Sequence, residues 1–113
     1  MEFPQQTMAA RRLLDGIEQG TMSRTESFEL VEAADPALVY LIFTWIRHRY
    51  GSSDPASDAV LGRLLEVSNL GPVAAKMKAG HLDPVVQWFE GEYEYRSFGA
   101  AEFVTLVIEK LEG

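Results

Sequence analysis

The stretch from Asp35-Pro36 to Tyr50-Gly51 constrains the fold more than any other part of the chain. Aspartate is a good helix cap because its carboxylate accepts from the free N–H groups of the first turn, and proline suits the first helical position, where no N–H is needed. From Ala37 to Ile46 every residue except Thr44 is apolar: Leu38, Val39, Tyr40, Leu41, Ile42, Phe43, Trp45 and Ile46 project in all directions. A helix apolar all round belongs inside other helices or in lipid. Spanning a bilayer takes about 20 apolar residues, and here Arg47, His48 and Arg49 follow too soon. The spacing therefore predicts a central hydrophobic helix over 36–50, packed among others in water. The three cations invite a phosphate-binding reading. The simpler account is that the macrodipole favours cations at a helix C-terminus, with Gly51 supplying the left-handed residue that ends the helix.

At 113 residues the chain has room for one core around this helix, so residues 1–113 are read as a single domain. A hydrophobic content of 47% with 11% aromatics excludes disorder, and a mean hydropathy of -0.06 excludes residence in lipid. Seventeen acids against ten bases leave a net charge of -7, which repels nucleic acid phosphate and anionic membranes over most of the surface. No cysteine is present, so disulfides, thiol nucleophiles and cysteine metal sites are out, which fits a reducing compartment. The segment Met1-Glu2-Phe3-Pro4-Gln5-Gln6 lacks the basic and apolar regions of a secretory signal, and a cytoplasmic location is expected.

The remaining chain reads as further helices. Residues 7–19 put Ala10, Leu13, Leu14 and Ile17 on one face and Arg11, Arg12, Asp15 and Glu18 on the other, with Gly20 as the stop. Ser23 and Glu26 form a capping-box pattern opening a second helix, with Phe28, Val31 and Ala34 expected inward and Glu29 and Glu32 outward. A sharp corner at Asp35 leads into 36–50. Asp54-Pro55 opens a fourth helix lined by Val60, Leu61, Leu64, Leu65 and Ser68, ending at Asn69 and Gly71. Pro72 opens a short fifth, with Val73, Ala74 and Met77 inward and Gly80 closing it. Asp83-Pro84 opens a sixth carrying Val85, Trp88 and Phe89, which is expected to fray over residues 90–95, where Gly91 and a Tyr/Glu alternation also fit an extended segment. Residues 98–112 form the last, with Phe103, Val107 and Leu111 in one row and Val104 and Ile108 in the next. The three Asp-Pro pairs differ in spacing and mark helix starts, not a repeat.

Three groups of residues are candidates for function. Residues 61–80 resemble a degenerate helix-turn-helix, with Gly71 in the turn and Lys76 and Lys78 on a second helix free of acids. That helix, however, begins with Pro72, Val73, Ala74 and Ala75, which offer nothing to base edges. His48, His81, Asp54, Asp58 and Asp83 are the right types for metal or hydrolytic chemistry, yet none falls at a diagnostic interval, and no nucleophile elbow or Gly-rich phosphate loop occurs. Trp88, Phe89, Glu90, Glu92, Tyr93, Glu94, Tyr95 and Phe98 form an aromatic and acidic stretch of the kind found in interface hot spots, and its carboxylates would draw a basic partner. The competing account is that its larger aromatics fill the core.

The sequence thus reads as an all-α compact bundle of six or seven helices. No motif in it fixes an activity. The expected role is a non-catalytic, acidic intracellular module that binds another protein, or a second copy of itself, through residues 88–98, with no cofactor, metal or membrane. The alternatives are a small DNA-binding regulator using Lys76 and Lys78, and an enzyme or metal protein whose site is assembled from dispersed His and Asp residues.

Overall fold

The computed structural model describes residues 3–33, 35–50, 54–93 and 99–112. Among them the chain forms seven helices and no strand: α1 (Phe3–Gln19), α2 (Arg24–Ala33), α3 (Pro36–Tyr50), α4 (Pro55–Val67), α5 (Leu70–Lys78), α6 (Asp83–Tyr93) and α7 (Gly99–Glu112). The radius of gyration is 12.9 Å, that of a compact globule of this length. None of the described helices is long and apolar enough to cross a membrane.

Local chemistry sets the helix ends. Ala10, Leu13, Leu14 and Ile17 of α1 are all buried, and Gly20, at φ +67°, ends the helix in a conformation that side chains resist. One turn earlier, a Cβ on Gly16 would lie 3.2 Å from Met22 Cα, so any side chain there would press the returning chain back by a few tenths of an ångström. The capping box is formed: Glu26 N–H donates to Ser23 Oγ at 3.1 Å and Ser23 N–H donates to Glu26 Oε1 at 3.2 Å. Asp35 Oδ1 accepts from Ala37 N–H at 3.0 Å, and its other oxygen accepts from Gln6 Nε2 at 2.6 Å, pinning the start of α3 to α1. Asp54 caps α4 in the same way through Ala56 N–H at 2.8 Å. Asp35→Ala removes a cap and a partly buried side-chain bond together, and is expected to cost roughly 1–2 kcal/mol. Urea unfolding should show a lower midpoint at unchanged slope; an unmoved midpoint would mean the two bonds do not hold in solution.

All residues from Pro36 to Thr44 are buried, as is Ile46. α3 packs against α1, α4, α5 and α7. At its middle Tyr40, Phe43, Phe89 and Phe103 form one aromatic cluster drawn from α3, α6 and α7. Tyr40 meets Phe103 edge-on at 5.6 Å and Phe89 at 6.3 Å, and Phe43 lies 5.4 Å from Phe103.

Several sequence expectations need correction. Phe28 points out of α2 and is 65% exposed, while Leu30 takes the buried place. Glu26 of the capping box lies toward α1, 3.8 Å from Arg12, and Leu30 lies one turn on along the same face, with Phe28 on the other side. Ala34 and the Val31 side chain lie outside what is described, as does Gly51. Gly71 is not in a turn: α4 and α5 are joined by Ser68 and Asn69 alone, and Gly71 and Pro72 sit in the first turn of α5. The helical start tolerates both because its N–H groups need no intrahelical acceptor. α6 continues through Gly91 to Tyr93, where fraying was expected; residues 94–98 lie outside the described residues.

Candidate functional site

The arginines after the apolar stretch of α3 are structural ties. Arg47, with its side chain only 8% exposed, donates from Nη1 to Ser57 Oγ at 2.9 Å, lies 3.4 Å from Asp58 of α4, and forms an ion pair with Glu102 of α7. Arg49 pairs with Glu18 at 2.5 Å and Asp15 at 3.5 Å on α1, and Tyr50 Oη donates to Glu18 at 2.8 Å. Burial alone would lower the Arg49 pKa, but the charges and hydrogen bonds of Glu18 and Asp15 outweigh it and hold the value above the ordinary one. The hydrogen bond to Glu18 raises the Tyr50 phenol likewise, with burial and the Glu18 charge adding to the effect. Arg47 and Arg49 are thus engaged across helices, which accounts for them more fully than the macrodipole alone.

The dispersed His and Asp residues are not brought together. His48 is exposed, edge-on to Trp45 at 5.6 Å; His81 is exposed beyond α5; Asp54 caps α4 and Asp58 flanks Arg47. Among the described residues no three His, Asp or Glu side chains gather as ion ligands. Of the aromatic and acidic stretch, Phe89 is buried and belongs to the core, and Trp88 is half-buried against it. The α6 backbone carries Glu90, Glu92 and Tyr93, whose side chains, together with Glu94, Tyr95 and Phe98, lie outside what is described.

Two open grooves stand out. One, about 290 Å³, runs between α1 and α4 over Gly16, Ile17, Met22 and Val67, with Arg63 and Glu66 at its edge. Arg63 donates to the Glu18 carbonyl at 2.9 Å, so its guanidinium already serves the end of α1. The other, about 260 Å³, lies between α5, the start of α6 and α7. Buried Leu82 belongs to its lining, Ala74 and Met77 come from α5, Val104 and Ile108 from α7, and Lys78 and Asp83 are its charged members. Its shape follows from helix ends. The α5 chain reverses at Gly80, φ +88°, with Gly80 N–H donating to the Met77 carbonyl at 3.0 Å and His81 N–H to the Lys76 carbonyl at 3.0 Å; Leu82 then turns inward just before α6. Among the described residues, both grooves lie near the lower end of the roughly 300–1,000 Å³ of sites that enclose small molecules.

The α5/α7 groove continues onto side chains that the sequence pattern assigns to the core. Phe103 and Val107 are buried, but Ile108 is 41% and Leu111 49% exposed. α7 therefore has two apolar faces, one turned inward and one left at the groove. A signal for this was present in the sequence: Phe103, Val104, Val107, Ile108 and Leu111 span more of the helix circumference than one neighbouring core covers. No protein-family model matches the chain, and no curated protein or solved structure is significantly similar to it.

Proposed function

We propose that this chain works by docking and not by catalysis: it is an acidic helical interaction module whose groove between α5, the start of α6 and α7 receives an apolar helix of another polypeptide. The observation that carries this reading is Ile108, 41% exposed in the lining of a groove that it shares with Met77, Leu82 and Val104, with exposed Leu111 about one turn farther along α7. Apolar side chains beside a groove are what a partner helix laid in it would cover. The absence of cysteine suits work in the cytoplasm.

A photo-crosslinking amino acid placed at Ile108 tests the reading in cells producing the protein. Adducts with polypeptide should form at position 108 several-fold above those from the same probe at Ala56, an exposed position on α4. Equal yields at the two positions would remove the groove as a docking site.

A further inference from the structure

We draw no further inference here: the strongest candidate, the apolar groove between α5, the start of α6 and α7, belongs to the site already described, and with Lys78 balanced by Asp83 in its lining nothing in the structure shows what covers it.

Discussion

Phe103→Ala is expected to lower the unfolding free energy by about 3–5 kcal/mol, the cost of removing a buried phenyl ring from a site that cannot collapse around the gap. The site is rigid because its walls are aromatic. Tyr40 and Phe43 of α3 lie 5.6 and 5.4 Å from the Phe103 ring, and Phe89 braces Tyr40 from α6. Planar side chains on three helices cannot each swing into one vacated space without emptying another. Domains of this size are stable by about 5–15 kcal/mol in all, so this one substitution consumes a large share. Thermal unfolding should show a midpoint lowered by roughly 12–20 °C. A shift under about 4 °C would mean that α7 does not anchor on α3 through this ring.

The second large effect concerns Arg47 and Glu102, and the two partners should respond unequally. Arg47→Met keeps an apolar stem in place of the arginine chain, next to Phe43, over whose ring the guanidinium lies at 5.8 Å. Glu102, 35% exposed at its side chain, can then turn to water, and the expected loss is about 1–2 kcal/mol. Glu102→Ala takes the α7 counter-ion from a buried guanidinium, whose bond to the Ser57 hydroxyl and contact with the largely exposed Asp58 stay in place. Removing the counter-ion of a buried charge costs more than deleting the charge itself, and about 2–4 kcal/mol is expected. Urea midpoints for both single variants and the double variant check the claim. The double variant should lose less than the two single losses added together. The idea fails if Glu102→Ala is indistinguishable from the parent or if Arg47→Met is the worse of the two.

Most of the helices were legible because their signals are local. The Asp-Pro starts at 35 and 54, the Ser23/Glu26 box and the stops at Gly20 and Gly80 depend on a few neighbouring residues and on groups that a helix end always leaves unpaired. The boundary between α4 and α5 was misread because Gly71 is a poor helix former whose position in the first turn is nonetheless cheap. Facing was harder. Phe28 and Leu30 compete for the inward place on α2, and which of them is covered depends on the helices that pack against it, which no local window contains. The candidate groove was the least legible feature. Ile108 and Leu111 look like core because periodicity records that a side chain is apolar at a given angle, and it says nothing about whether a neighbour arrives to cover it. Arg47 was legible as a cation near a helix end, but its reach to Glu102 spans 55 positions in sequence.

The two arginines near the end of α3 also speak to a question that its apolar length leaves open. Spun about its own axis by one residue, that helix would still offer leucine, isoleucine, valine or phenylalanine to every neighbour, so hydrophobicity as such does not choose its azimuth; the fit of Tyr40 and Phe43 against Phe103 does, and the arginines add to it. Arg47 and Arg49 stand about 200° apart around the axis, one tethered to α4 and α7 and the other to α1. Like two guy-ropes on a mast, they brace a single bearing. Swapped for apolar residues, they would leave a globule just as greasy inside, with the seating of its most buried helix left to ring packing and to the Asp35 tie at its start.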